Sequence, residues 1–191
     1  MPETPPDSPH KHLFDRLLEQ RTILLSEPVM PDSTERILAQ LLYLDAEDSK
    51  KAIKFFINTP GGSITDGFAI FDTVRMVGAP VTTICTGLAA SMGTILMLAP
   101  TDKKRRLTLP NARFMIHQPS SAYRGSASDI EIGAKEILNM RDRLIGIYVD
   151  ECGHDADRIK DDLNRDNWMG APEAVKYGLA SRIIRHIGDV A

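Results

Sequence analysis

The sequence predicts a single α/β domain built from repeated strand–turn–helix units. A short run of β-branched or aromatic residues is followed by a turn signal and a helix-like segment three times within the first half of the chain. The 191 residues suit one domain, and their 42% hydrophobic content is enough for one core. Alternation of strands and helices is typical of crossover connections in an α/β fold.

The first half of the chain supplies those units after an N-terminal tail. Residues 1–10 are rich in proline and predict a flexible tail, which leaves residues 11–191 as one domain. The expected strands occupy residues 22–25, 53–57 and 81–85. The expected helices begin at Lys11, at Asp32 with Glu35 in a capping box, at Ser63 as a capping residue, and near Ser91 after a turn opened by Gly87.

The second half continues the pattern and adds one long helix. Its expected strands occupy residues 106–109, 113–116 and 182–187. The long helix is predicted to run from a capping pair, Ser128 and Glu131, to about residue 150, and another helix covers residues 156–164. Pro172 is expected in the first turn of a short helix that ends at Gly178.

Composition argues against several functional classes. The formal net charge is −3, which gives no electrostatic reason to expect nucleic acid or an anionic membrane as a partner. The N-terminal residues have no apolar leader, and Cys85 and Cys152 form no close-spaced motif, so a reducing, cytoplasmic compartment is expected. No two histidines share a helix face at ligand spacing, so no metal site is expected.

Ser91 is the first candidate catalytic residue. It lies among small residues, between Gly87 and Gly93, at the expected start of a helix. A nucleophilic serine needs such a turn, because free helix N–H groups stabilise an oxyanion and small neighbours let a substrate backbone approach. The segment lacks the G-x-S-x-G pattern of α/β-hydrolases, and spacing alone favours a serine that is merely packed in the turn.

Other positions have local features that are compatible with a role in chemistry. His117 follows an apolar strand, where it serves equally well as a general base or as a capping or core histidine. Asp166 has only the nearby Trp168 to distinguish it from a solvated surface acid. Gly61 and Gly62 follow a buried strand and would expose backbone N–H groups, although a plain strand-to-helix turn explains them more simply.

Five blocks of the sequence, in this order, resemble the proteolytic subunits of the Clp protease family. The blocks lie at residues 57–62 (INTPGG), 87–93 (GLAASMG), 109–119 (LPNARFMIHQP), 128–132 (SDIEI) and 171–179 (APEAVKYGL). The likeness extends over residues 13–187. It implies a ClpP/crotonase-like fold, with a head domain and a long handle helix within a handle at about residues 119–150.

The resemblance implies a serine endopeptidase. Ser91 is then the nucleophile, His117 the general base and Asp166 the acid that orients the base. The backbone N–H groups of Gly62 and Met92 would form the oxyanion hole. Two segments would clamp a substrate peptide by β-augmentation, and their expected substrate-binding residues are Ser63, Ile64, Ser120 and Ser121.

The resemblance also implies an assembly and partners. Members of the family form two stacked seven-membered rings around a chamber, and the handle interlocks the rings. A Clp-type AAA+ ATPase feeds unfolded proteins into the chamber. The ATPase consumes the ATP, so no cofactor is expected in this subunit.

The sequence departs from the family pattern at its N-terminus and near the site. Residues 1–11 are proline-rich where an apolar axial plug is usual, Ser120 and Ser121 replace common glycines, and Asn164 replaces an acid beside Arg165. The N-terminal departure leaves open a subunit that is active only in a mixed ring with a paralogue. A crotonase-type acyl-CoA enzyme is the other alternative, because that group has a similar fold and paired backbone N–H groups.

Overall fold

The structure of the protein is a computed structural model that describes residues 9–120, 122 and 124–190. Its central element is a mostly parallel β-sheet of seven strands. The strands are β1 (Thr22–Leu25), β2 (Ile53–Thr59), β3 (Val81–Ala90), β4 (Arg106–Thr108), β5 (Arg113–Ile116), β6 (Asn167–Gly170) and β7 (Arg182–Ile183). Strands β1, β2, β3, β4 and β7 are neighbours in that order, and all of their pairings are parallel. The predicted α/β fold class is therefore confirmed.

The ten-residue strand β3 pairs with β2 along one edge and divides its other edge between two partners. Residues 83–85 pair with β4, whereas residues 88–90 pair in parallel with β5. Strand β6 then runs antiparallel to β5 and pairs with no other described strand. Since the carboxyl ends of parallel neighbours meet at one edge, the residues after β3 and β5 are brought together there.

Helices follow or cover the strands, as the repeated units predict. They are α1 (Pro9–Glu19), α2 (Pro31–Glu47), α3 (Ile64–Met76), α4 (Met92–Met97), α5 (Ala127–Cys152), α6 (Ala156–Leu163) and α7 (Ala171–Tyr177). Two 3-10 turns occupy Lys103–Arg105 and Ile187–Asp189. None of the helices in the described part of the chain combines the length and apolar character that crossing a membrane requires.

Fully buried side chains fill both faces of the sheet. The main cluster joins β2, α4 and β5, with Ile57, Leu96 and Phe114 each fully buried. A smaller cluster contains Ile84 and Leu107. Neighbouring residues of a strand face opposite sides, so β3 places Ile84 in the small cluster and the adjacent Cys85 in the main one.

The prediction that Gly87 opens a turn is wrong, because β3 continues through it to Ala90. The Asn58 side chain crosses to β3, where its Oδ1 accepts a hydrogen bond from the Leu88 N–H at 3.0 Å. A Cβ atom at Gly87 would lie 2.7 Å from that oxygen. Glycine is therefore needed for a close approach between strands rather than for a change of direction.

Both predicted capping boxes are wrong in position. Helix α2 begins at Pro31, and Ser33 Oγ accepts a hydrogen bond from the Met30 N–H, so Asp32 and Glu35 do not form the box. Helix α5 begins two residues after Gly125, with Ser126 and Asp129 bonding reciprocally in place of Ser128 and Glu131. At Gly125 a Cβ atom would lie 2.9 Å from Asp129 Oδ2, so the glycine leaves room for the earlier box.

Other elements also differ from the prediction. Helix α1 starts at Pro9 rather than Lys11, since proline suits the first helical turn. Strand β6 was not predicted, and its four residues form a strand through pairing with β5. Strand β7 stops at Ile183, and Asp189 Oδ2 accepts hydrogen bonds from the Arg185 and His186 N–H groups, which turns the chain. Most of the predicted tail lies outside the described residues.

Candidate active site

Ser91 occupies a strained turn between β3 and α4. Its backbone has φ 52° and ψ −119°, a conformation that costs a non-glycine residue about 1–3 kcal/mol. Two neighbours hold it there: the Ser91 N–H donates to the Met115 carbonyl at 2.7 Å, and the Ser91 carbonyl accepts from the Thr94 N–H at 2.9 Å. All six residues of α4 are buried, so the turn is anchored in the core.

The pairing of β3 with β5 brings His117 to Ser91. Ala90 and Met115 are partners in the ladder, so the residues that follow them emerge at the same edge of the sheet. His117 Nε2 lies 2.9 Å from Ser91 Oγ, which is hydrogen-bond distance. The His117 ring is therefore directed at Ser91.

Asp166 approaches the other nitrogen of His117 from the segment between α6 and β6. Its Oδ1 lies 3.4 Å from His117 Nδ1, which is longer than a normal hydrogen bond, and its side chain is 62% exposed. Asp166 therefore faces His117 without closing tightly on it. The Gln118 N–H donates to the Leu163 carbonyl at 2.7 Å and ties this segment to the His117 strand.

The glycine pair after β2 packs against the Ser91 turn. Gly61 has φ 93°, and a Cβ atom there would lie 2.8 Å from Ser91 Cβ and 3.0 Å from the Met92 nitrogen. The Val29 N–H and carbonyl bond to Gly61 and Ser63 on either side, which fixes the loop. Among the described residues, no group accepts a hydrogen bond from the backbone N–H of Gly62 or of Met92.

The predicted substrate-binding residues border one cleft beside this turn. Ser63 and Ile64 from the start of α3 face Ser120 across a cavity of about 230 Å³. Ile137 and Met140 of α5 also line this cavity, and sequence reasoning did not assign either residue to it. Only the apolar spacing of the long helix could have suggested them. Ser121 lies outside the described residues, so its predicted role is not addressed by the structure.

Neither cysteine offers a competing nucleophile. Burial raises the pKa of Cys85 to about 12 and that of Cys152 to about 12, so both are thiols near neutral pH. Both cysteines are free. Within the described ranges, no three His, Cys, Asp or Glu side chains are grouped closely enough to hold a metal ion.

The fold and these contacts define a class of protein: an α/β protein in which a serine on a strained strand-to-helix turn meets a histidine and an aspartate. The comparison with protein families narrows the class. The model of the family described as Clp protease matches residues 7–187, nearly the whole chain. The chain therefore belongs to the Clp protease family, which is a family of peptidases. This result favours the peptidase interpretation over the acyl-CoA alternative.

Proposed function

We propose that this chain is a serine endopeptidase subunit in which Ser91 is the nucleophile and His117 the general base. One observation carries the proposal: Ser91 Oγ lies 2.9 Å from His117 Nε2 while its backbone is held at φ 52° on a buried turn. A serine hydroxyl is a weak nucleophile on its own, and an adjacent base at this distance activates it. The strained turn directs Oγ away from the core that holds it.

The proposed reaction follows from this contact. His117 Nε2 takes the Ser91 proton as Oγ attacks the peptide carbonyl carbon, and then gives that proton to the leaving amine. Water, deprotonated by the same nitrogen, attacks the resulting ester and releases the second product with Ser91 restored. His117 Nε2 then gives the proton taken from that water to Ser91 Oγ, so the cycle closes without a cofactor.

The groups around this pair have supporting roles in the proposal. Asp166 faces His117 Nδ1 and favours the tautomer whose Nε2 is free to accept a proton. The N–H groups of Gly62 and Met92 are proposed as the oxyanion hole, since both lie at the Ser91 turn and neither has an acceptor within the described structure. Each donor would bind the charge that develops on the carbonyl oxygen.

The cleft between Ser63 and Ser120 is proposed to hold the substrate. An extended peptide would pair with the backbone on both sides, beside Ile64 on one side and Ser120 on the other. Ser121 is proposed for the same role from the family resemblance alone. Such pairing recognises the backbone and tolerates many sequences. Ile137 and Met140 would contact a substrate side chain, which favours apolar residues at that subsite.

We further propose that the subunit works inside a ring assembly. Several large apolar side chains are exposed in the single chain, including Leu13 (59%), Phe14 (52%) and Ile132 (69%). Exposed apolar surface of this kind marks contacts between subunits. By its family resemblance, the chain would form two stacked seven-membered rings, receive unfolded proteins from a Clp-type AAA+ ATPase that uses ATP, and act in the cytoplasm.

A second candidate is a subunit that becomes active only after assembly, for instance in a mixed ring with a paralogous subunit. The long contact between His117 and the exposed Asp166 favours it, because an unsupported acid orients the histidine poorly. Contacts from a neighbouring subunit could close this distance. The two candidates use the same chemistry and differ only in what completes the site.

The test is active-site labelling and peptide hydrolysis by the purified, assembled protein. A fluorophosphonate should label Ser91, and Ser91→Ala should lower kcat by about 10⁶-fold while leaving the assembly intact. Ser49→Ala, which changes an exposed serine in a turn, should leave labelling and hydrolysis unchanged. Near wild-type hydrolysis by Ser91→Ala would rule out the proposed mechanism. Activity that appears only after a paralogue is added would select the second candidate.

A further inference from the structure

A buried pair of hydroxyl groups connects the long helix α5 to the Ser91 turn. Thr94 Oγ1 lies 2.6 Å from the Ser91 carbonyl oxygen, and the Tyr148 hydroxyl lies 2.5 Å from Thr94 Oγ1. Thr94 is fully buried and Tyr148 nearly so. These two contacts therefore connect Tyr148, near the C-terminal end of α5, to the backbone of Ser91.

The direction of both hydrogen bonds follows from the number of protons. A carbonyl oxygen can only accept, so the single Thr94 hydroxyl proton is donated to Ser91. Tyr148 must then donate its own proton to Thr94 Oγ1. Burial raises the pKa of Tyr148 well above its ordinary value, so the phenol keeps that proton at neutral and moderately alkaline pH. Hydrogen bonds in such a chain polarise and strengthen one another.

The Ser91 carbonyl belongs to the same rigid peptide unit as the Met92 N–H. A peptide unit is planar, and in its trans form the C=O and the N–H point in opposite directions. Fixing the carbonyl oxygen from one side therefore fixes the direction of the Met92 N–H on the other side. That N–H is one of the two donors of the proposed oxyanion hole.

We propose that Tyr148 and Thr94 are positioning residues that orient the Met92 N–H for catalysis by holding the Ser91 carbonyl. This inference rests on the proposed peptidase function and adds residues that the triad does not include. The Thr94 N–H also bonds to the Ser91 carbonyl, so removal of the hydroxyl should loosen the peptide unit without releasing it. An oxyanion donor acts on charge that develops in the transition state, so the effect should fall on kcat rather than KM.

The experiment compares Thr94→Val, Thr94→Ser, Tyr148→Phe and the Val/Phe double variant in the assembled protein. Peptide hydrolysis is expressed per active site, titrated with a fluorophosphonate. Loss of one neutral hydrogen bond should lower kcat about fivefold for Thr94→Val and about threefold for Tyr148→Phe, with KM changed less than about twofold. Thr94→Ser keeps the hydroxyl and should restore kcat. The double variant should lose about fivefold, since both changes interrupt one chain.

Thr73→Val is the matched control, because Thr73 Oγ1 donates to the Ala69 carbonyl at 2.7 Å in α3, away from Ser91. Its kcat should equal that of the wild type. An unchanged kcat per titrated site in Thr94→Val would overturn the positioning role of Thr94 and Tyr148. A double variant in which the two losses multiply would also overturn it. Either result would leave the proposed peptidase function unaffected. A wild type that neither binds the fluorophosphonate nor hydrolyses peptides, with or without a paralogous subunit, would overturn the proposed function and this positioning role with it.

Discussion

The two ends of the candidate triad are held in different ways. Ser91 lies between β3 and the fully buried helix α4, and its backbone N–H and carbonyl are both hydrogen-bonded. Asp166 lies at the surface, with a side chain that is 62% exposed and 3.4 Å from His117. The geometry of the nucleophile is thus set by the core of the subunit. We infer that the geometry of the acid is set partly by contacts outside the subunit.

Sheet topology explains this difference. The strands that precede Ser91 and His117 are parallel neighbours, and β3 is covered on both faces. Asp166 instead precedes β6, which pairs only with β5 among the described strands. An edge strand presents unpaired backbone groups to a neighbouring molecule. Trp168 on β6 is 48% exposed and packs only loosely against Arg113, with the guanidinium 5.5 Å from the ring centre.

The largest effect is expected where the loop of Gly61 and Gly62 contacts the Ser91 turn. In Gly61→Ala, the new Cβ would lie 2.7 Å from the Ala90 carbonyl oxygen and 2.8 Å from Ser91 Cβ, at a φ of 93° that alanine rarely adopts. The loop must move away from the Ser91 turn and take the Gly62 N–H with it. Peptide hydrolysis should fall by about 10²–10³-fold, as for loss of an oxyanion donor.

Gly146→Ala is the control for that substitution. A Cβ atom at Gly146 would have no neighbour within 4 Å, and alanine is the better helix former. Activity should be retained, with stability unchanged or slightly higher. Hydrolysis by Gly61→Ala within about threefold of the wild type would mean that the loop does not define the site.

The next largest effect is expected in the charged cluster that joins the C-terminal end of α5 to α3 and β4. Arg106 is almost fully buried, and Glu151 bonds to it at 2.5 Å and to Arg75 at 2.6 Å. Glu151→Gln would leave the Arg106 charge uncompensated in the interior. The free energy of unfolding at neutral pH should fall by about 3 kcal/mol, measured by denaturant unfolding.

The pH dependence of this cluster follows from the pKa of Glu151. Burial alone would raise that pKa, but hydrogen bonds and charges from Arg75 and Arg106 outweigh burial and lower it from its ordinary value of 4.5. A lowered folded-state pKa stabilises the fold fully above the unfolded-state value and progressively less as the pH falls through the folded-state value. The stability difference between wild type and Glu151→Gln should therefore be constant above about pH 5 and shrink below it. A difference that stays constant down to pH 3 would contradict the assigned ion pairs.

Features that depend on local sequence were predictable. Ser63 caps α3 through the Asp66 N–H, and Gly178 ends α7 in the left-handed conformation, as expected from neighbours a few residues away. The strand at residues 22–25 was also predicted with its observed bounds. In each case the signal and the structure lie within a single turn or strand.

Features that depend on distant pairing were not predictable in the same way. The strand character of β6 comes from β5, and the role of Gly87 comes from Asn58, far earlier in the chain. The approach of His117 to Ser91 needs the register of β3 and β5, which spacing does not reveal, so only the family resemblance selected this pair. The Thr94–Tyr148 contact spans two helices, and neither residue has a local feature that indicates it.

The smallest effect should come from a side chain that links the His117 segment to the segment that carries Asp166. Gln118 follows His117, and its side-chain N–H donates to the Asn164 carbonyl at 3.1 Å, two residues before Asp166. Gln118→Ala removes this exposed bond, whereas the backbone bond from the Gln118 N–H to Leu163 remains. Loss of one exposed, neutral hydrogen bond should lower kcat about twofold.

If neighbouring subunits order Asp166, the loss of activity in Gln118→Ala should be greatest in dilute protein and disappear at concentrations where rings are complete. Gln20→Ala, at an exposed turn, should have no such concentration dependence. A constant twofold loss from dilute to concentrated protein would mean that the subunit positions Asp166 by itself, and the contrast between the two ends of the triad would then be one of exposure only.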